Sequence, residues 1–259
     1  MTALPFFQVD AFAEEPLTGN PAAVMPLEHW LEDGLMQAIA AENNLSETAF
    51  LVPSDRADAD YDLRWFTPAT EVELCGHATL ASAHALITGE RIRFATRSGV
   101  LTVASEDGLL KLDLPAFDVQ PGDAPGLLEA LGVEGEILVG EGGNNSAIVL
   151  LPDEAAVRSV RPDFAALKAF DRLVIVTAPG DEQDVASRVF ASYHGIDEDP
   201  VTGSAHAALV PYWAKKLGRD TFTAFQASAR GGLLHCQMAG DRVILGGKCV
   251  TVIEGYFQL

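Results

Sequence analysis

Apolar positions along the chain follow two rhythms. Leu4 to Val9 is a nearly unbroken apolar run and predicts a buried opening strand. Thr18-Gly19-Asn20-Pro21 predicts a turn. From His29 to Glu42, Trp30, Leu31, Leu35 and Ile39 return at helical spacings. Asn43-Asn44 ends that helix, because Asn tolerates the left-handed conformation of a helix C-terminus. Ser46 to Val52 is apolar on both faces and predicts a strand covered on both sides, with Glu47 at its start. Tyr61 to Phe66 predicts another, closed by Thr67-Pro68. Gly76 to Ile87 reads as a helix built on Ala78, Ala81, Ala83 and Ala85, small enough for close neighbours on all sides. Strands over Gly99 to Ala104 and Leu109 to Leu114 follow.

After Pro115 the text begins to repeat. Ala147 to Leu151 and Leu173 to Val176 predict strands, separated by a helical stretch around Phe164 to Phe170, and Val185 to Tyr193 holds another apolar run. Asp199-Pro200-Val201-Thr202-Gly203-Ser204-Ala205-His206 then leads into a second alanine-rich helix, Ala205 to Leu217. Cys75-Gly76-His77 and Thr202-Gly203-Ser204 open the two small-residue helices at an offset of 127. Arg97-Ser98-Gly99-Val100-Leu101 and Arg230-Gly231-Gly232-Leu233-Leu234 follow those helices at an offset of 133. The repeated order points to an internal duplication, each half a curled sheet around one apolar central helix.

A length of 259 residues fits one large domain or two small ones. Seventeen Lys and Arg against thirty-seven Asp and Glu give a formal charge of −20, which argues against nucleic acid and anionic membrane surfaces as partners. At 48% hydrophobic residues the chain has ample material for a core, so the charge is no signature of disorder. Three widely spaced cysteines, Cys75, Cys236 and Cys249, form no disulfide framework. Met1 to Phe12 lacks the pattern of a signal peptide, and no apolar stretch approaches a membrane span. The expectation is a soluble, cytoplasmic protein.

Both small-residue helices begin at a glycine, and a helix N-terminus is a ready anion site. If the two halves face one cleft, a carboxylate substrate would sit between them. Glu47 is a carboxylate in an apolar strand, either facing solvent at an edge or partly buried; burial would raise its pKa and suit it to general acid–base work. His77, beside a helix N-terminus, is expected to be neutral. Cys75, before the same terminus, is expected to have a lowered thiol pKa. With His77 it suggests a Cys–His hydrolase, although residues two apart need not face each other and no third group is evident. His84 reads as a packing or hydrogen-bonding residue, His194 as surface, and Cys236 and Cys249 as core thiols. Gly140-Glu141-Gly142-Gly143-Asn144-Asn145 lacks the third glycine of a dinucleotide fingerprint and reads as a loop. No motif calls for a nucleotide, a metal or serine-hydrolase chemistry.

Six segments in order carry a resemblance. They are Phe7-Gln8-Val9-Asp10-Ala11-Phe12, Thr18 to Val24, Asn44 to Phe50, Phe66-Thr67-Pro68, Cys75 to Ala81, and Glu198 to His206. Together they resemble the phenazine-biosynthesis PhzF-like isomerases over most of the chain. The resemblance implies an α+β, diaminopimelate-epimerase-like fold of two similar halves, each a rolled mixed β-sheet around a central helix. The N-terminal half would be residues 1–115, with 246–259 returning to it, and the C-terminal half 116–245. It further implies a homodimer and a reaction without cofactor, since the best-known relative isomerises trans-2,3-dihydro-3-hydroxyanthranilate by moving a proton. By motif position, Glu47 would carry the proton, with His77 and Asp199 as its polar partners. Ser204, Asn20 and the backbone at Gly76 and Gly203 would bind a small anionic metabolite.

Related two-cysteine epimerases place a thiol before each central helix; here Thr202 takes the second position, which disfavours a two-thiol racemisation and leaves Cys75 a possible auxiliary. The alternatives are a racemase, epimerase or dehydratase using Cys75, or a ligand-binding protein without catalysis on the same fold.

Overall fold

The computed structural model of the chain describes residues 2–140 and 145–259. These fall into two compact units, residues 1–113 with 246–259, and residues 114–245. The middle of the Gly140 to Asn145 stretch, residues 141–144, lies outside the described residues.

The first unit contains β1 (Ala3–Ala11), β2 (Asn20–Pro26), α1 (Asp33–Asn43), β3 (Glu47–Pro53), β4 (Tyr61–Phe66), β5 (Glu71–Val72), α2 (Gly76–Leu86), β6 (Arg91–Thr96), β7 (Gly99–Glu106) and most of β8 (Leu109–Pro115). β1 and β2 are antiparallel, β2 and β3 parallel, and β3 and β4 antiparallel. β4 carries the short antiparallel β5 and lies parallel to β6, after which β7 and β8 continue as hairpins. The chain's last strand, Cys249–Gln258, pairs antiparallel with β1.

This mixed sheet curls round α2, which touches β1, β2, β3, β7 and the last strand. Gly76 to Ala83 are all buried, eight residues in a row and mostly small ones, which lets strands approach the helix from several sides. The helix satisfies its own buried hydroxyls: Thr79 Oγ1 donates to the Cys75 carbonyl at 2.6 Å and Ser82 Oγ to the Ala78 carbonyl at 2.7 Å. β3 is an apolar run because α1 covers one face, packing Met36, Ile39 and Ala40 with Phe50, Met25 and Phe66.

The second unit repeats the plan. It contains β9 (Val119–Pro121), α3 (Leu127–Leu131), β10 (Glu136–Gly140), β11 (Ser146–Leu150), α4 (Glu154–Ser159), α5 (Phe164–Leu167), β12 (Leu173–Pro179), β13 (Val185–Ala191), β14 (Ile196–Asp199), α6 (Gly203–Leu217), β15 (Thr221–Gln226), β16 (Gly232–Ala239) and most of β17 (Arg242–Gly247). The last strand is accordingly β18. Pairings follow the order of the first unit: β9–β10 and β10–β11 antiparallel, β11–β12 parallel, β12–β13 and β13–β14 antiparallel, β13–β15 parallel, β15–β16 antiparallel. α6 stands where α2 stands, between a short antiparallel strand and a parallel crossover. Pro211 lies inside α6 and cannot donate to the Ala207 carbonyl, which accepts the Phe117 N–H at 3.1 Å instead.

Several boundaries differ from the sequence pattern. α1 begins at Asp33, so Trp30 and Leu31 precede it. They are apolar for other reasons: the Trp30 ring lies 5.4 Å from the Arg64 guanidinium, and Leu31 packs on the core under α1. Arg64 also holds Asp33 at 2.9 Å, fixing the helix start. Asn20 and Pro21, read as turn, already belong to β2. Phe164–Leu167 is one helical turn, shorter than the pattern suggests. The expected C-terminal stop of α1 is present, with Asn44 at φ 50°. No helix among the described residues is long and apolar enough to cross a membrane.

Candidate active site

In the first unit, β2 and β3 run parallel with Ala22 opposite Glu47, which brings Asn20 and the start of β3 to the same end of the sheet. The N-terminus of α2 meets them there. Gly19, at φ +65°, lets the connection from β1 into β2 close tightly: a Cβ on it would stand 2.2 Å from the Ala11 carbonyl oxygen.

Glu47 Oε2 lies 3.1 Å from His77 Nε2, with the side chains 13% and 6% exposed. The two atoms face each other without the alignment of a hydrogen bond, and neither has another hydrogen-bond partner. At the other ring nitrogen, Nδ1, the Asn20 amide nitrogen is at 3.2 Å and Cys75 Sγ at 3.6 Å. Ser46 Oγ donates to Asn20 Oδ1 at 3.2 Å. In that orientation the Asn20 amide fits a neutral ring protonated on Nε2; flipped, it fits the imidazolium. The Ser46 hydroxyl can donate or accept, so it serves both. Asn20, Glu47, Cys75, Gly76 and His77 thus form one cluster, in which Cys75 and His77 do face each other and Glu47 is the third group.

Two electrostatic expectations are corrected. The Cys75 thiol is not acidified but pushed up to about 11, by burial first and then by the Glu47 charge, which together outweigh His77 and the helix terminus. Burial alone would push His77 down, but its contacts with Cys75 and Glu47 hold its pKa well above the ordinary imidazole value. With the thiol protonated near neutral pH, Glu47 is the charge that acts there. Iodoacetamide should therefore label Cys75 in the folded chain at least about a hundredfold more slowly than a free cysteine, since the rise from 9.0 to about 11 cuts the thiolate by that factor. Peptide mass spectrometry before and after unfolding checks this.

In the second unit, Asp199 closes β14 and Thr202 precedes α6. β14 is held on β13 by Arg188, whose guanidinium grips Glu198 through two bonds of 2.7 and 3.0 Å. Thr202 Oγ1 donates to the Asp199 carboxylate. Gln226, fully buried at the end of β15, clamps the turn: its Oε1 accepts from the Thr202 N–H at 2.9 Å and its Nε2 donates to the Asp199 carbonyl at 2.7 Å. His206 Nδ1 donates to the Thr202 carbonyl at 2.8 Å, and Ser187 Oγ lies 3.4 Å from Nε2. Burial pushes His206 down to about 4, against the opposing carbonyl bond, so the ring is neutral. Gly203 is buried and Ser204 half-buried in the first turn of α6.

Neither Cys75 nor Thr202 caps its helix with a side-chain hydrogen bond, whereas Asp153 and Asp163 cap α4 and α5. Sequence reasoning missed Ser46 and Gln226. Each is a single polar residue beside a strand terminus, and only the folded pairing shows what it holds. His84 bonds Thr251 at 3.1 Å, and His194 is exposed. Cys236 is buried and Cys249 half-buried, both with thiols raised by burial.

Comparison with known proteins places this geometry in a family. The phenazine biosynthesis-like protein family matches residues 9–255. An uncharacterized isomerase of Pseudomonas aeruginosa is 51% identical over 263 residues, covering 99% of each chain. The crystal structure of a PhzF-family phenazine biosynthesis protein from Enterococcus faecalis superposes with a TM-score of 0.92 at 44% identity, covering all of both chains. A hydroxyproline epimerase from Agrobacterium vitis shares the fold, with a TM-score of 0.66 at 14% identity over 98% of this chain and 92% of that one. The fold is thus the α+β, diaminopimelate-epimerase-like one, its two halves each a mixed sheet around a central helix. The chain belongs to the phenazine biosynthesis-like, or PhzF, family of isomerase-type proteins.

Proposed function

We propose that the protein is a cofactor-independent isomerase that moves a proton within a small carboxylate-bearing metabolite. The observation that carries this reading is the buried Glu47–His77 pair, whose facing atoms lack any other hydrogen-bond partner. Held against His77 Nε2 and largely shielded from water, the Glu47 carboxylate is positioned to exchange a proton with a bound substrate. Glu47 takes a proton from a substrate carbon; the C–H electron pair moves into the conjugated carboxylate; Glu47 then returns the proton to another carbon of the same molecule.

His77 shares the proton with Glu47 and fixes the carboxylate. The uncapped start of α2, at Gly76, serves the developing negative charge together with Asn20, and the uncapped start of α6, at Gly203 and Ser204, is the second unit's own candidate anion site. In the second unit Asp199, its carboxylate held by Thr202, is the candidate polar group. Cys75 stays outside the proton transfer, because a buried thiol raised to about 11 is a poor base near neutral pH. The reading extends to a cytoplasmic homodimer, for which size-exclusion chromatography with light scattering is the check.

The test works whichever product forms. A panel of small carboxylates carrying an acidic C–H beside unsaturation is incubated with the chain in deuterium oxide and followed by NMR. At least one member is expected to gain deuterium at carbon with the wild-type chain. Binding of panel members with no exchange in any of them overturns the isomerase reading in favour of a ligand-binding protein.

A further inference from the structure

Glu47, Cys75 and His77 bring one carboxylate oxygen, one sulfur and one imidazole nitrogen within 4.8 Å of one another, the single such trio of possible metal ligands among the described residues. We propose that this trio is a binding site for a thiophilic divalent cation, Zn²⁺ foremost, and that its occupancy blocks the proton carrier. The second half of that statement rests on the reading of Glu47 above; the first half does not.

The donor set selects the ion. Sulfur, nitrogen and oxygen from three side chains, with a fourth position left for water or an exogenous carboxylate, is the ligand count of open zinc sites. Mg²⁺ and Ca²⁺ prefer all-oxygen sets and are disfavoured here. Bonds of about 2.0–2.3 Å in a tetrahedron require donors about 3.2–3.8 Å apart. An ion on Nε2 has Glu47 Oε2 beside it, 3.1 Å from that nitrogen, while Cys75 Sγ, now 3.6 Å from Nδ1, must swing toward Nε2, the three donors lying within 4.8 Å of one another.

The surroundings point the same way. Glu47 Oε2 and His77 Nε2 are buried 3.1 Å apart with no hydrogen-bond partner besides each other, and the His77 side chain is only 6% exposed. A cation satisfies both atoms at once. Asn20 orients the imidazole, as outer partners of metal-bound histidines do. Binding is balanced by proton release: the thiol gives up its proton as the metal–sulfur bond forms, and an imidazolium gives up a second. The trio escapes sequence motifs because Glu47 lies in β3, far along the chain from Cys75 and His77 at the start of α2.

Cobalt titration of the purified full-length chain reads the site without turnover. Wild-type chain with Co²⁺ is expected to show a near-ultraviolet thiolate-to-cobalt charge-transfer band at one equivalent, displaced by Zn²⁺. Cys75→Ser should abolish the band, and His77→Gln should weaken Zn²⁺ binding at least about tenfold. Circular dichroism verifies the fold of each variant, and if Cys75→Ser does not fold, His77→Gln carries the test. No band in the wild-type chain, or a band that survives Cys75→Ser, overturns the site. The two claims separate cleanly. A wild-type chain that shows the band, yet exchanges substrate protons equally fast with Zn²⁺ bound, keeps the site and removes Glu47 from catalysis. A chain with no band leaves the Glu47 reading standing on its own tests.

Discussion

Glu47→Gln is expected to slow deuterium exchange into the responsive carboxylate about a thousandfold, within the range of about 10² to 10⁴ for loss of a positioned acid–base group. Glutamine keeps the size of the side chain and its place beside His77, 3.1 Å away, but cannot take a proton at neutral pH. Substrate affinity and the circular dichroism spectrum should change little. Glu47→Asp, with the carboxylate drawn back by one methylene, should retain an intermediate rate, because geometry and not charge alone is lost. A thiol mechanism predicts the reverse order, with Cys75→Ala far more damaging than Glu47→Gln. Exchange rates for the three variants, measured by NMR on one substrate, separate the two.

The second large effect concerns stability and pH. His206 is buried and neutral, with a folded pKa of about 4 against an ordinary value of 6.5. Between those values the unfolded chain binds the proton and the folded chain does not, so stability falls as pH falls through 6.5 and levels off near 4. The shift corresponds to about 3 kcal/mol. His84, half-buried and also lowered, acts with the same sign. His77, raised, acts with the opposite sign: its contribution is complete below 6.5 and is lost as pH rises through its folded value. His206→Asn keeps an N–H for the Thr202 carbonyl while removing the titration. Urea unfolding at a series of pH values should show the acid-side loss of stability reduced by roughly 2–3 kcal/mol in the variant. An unchanged pH dependence refutes the assignment to His206.

Much of the fold was readable from local pattern, and the reasons are specific. The alanine-rich helices α2 and α6 announce themselves because a central helix wrapped by strands is built mostly of small residues. The apolar run of β3 is legible because both of its faces are covered. The duplication showed in the offset between the two helix starts, and the strand pairings repeat it pair for pair. β6 and β15 were passed over although Arg91, Arg93, Thr221 and Thr223 alternate with apolar positions as a half-buried strand does; what no local pattern carries is the parallel crossover pairing of each. Trp30 and Leu31 mimicked helical periodicity while packing from irregular backbone.

The site divides in the same way. Glu47, Cys75-Gly76-His77 and Asp199 to Ser204 were visible as motifs. That His77 meets Glu47 on one nitrogen and Asn20 and Cys75 on the other was not, because the contact depends on β2–β3 register and on how α2 docks. The reversed direction of the Cys75 and His77 pKa shifts has the same origin. A helix terminus can be read from sequence, but the burial and the Glu47 charge that raise Cys75, and the contacts with Cys75 and Glu47 that raise His77 against its burial, cannot.

The most direct measurement follows one hydrogen. Once a substrate is found on the panel, it is prepared with deuterium at the carbon that loses its proton and turned over once in ordinary water. Glu47, with its side chain only 13% exposed, shields the captured deuteron from solvent, so a measurable share of product should carry deuterium at the new carbon. Product free of deuterium at the earliest times, with label lost wholly to water, contradicts a single carboxylate that removes and returns the same proton.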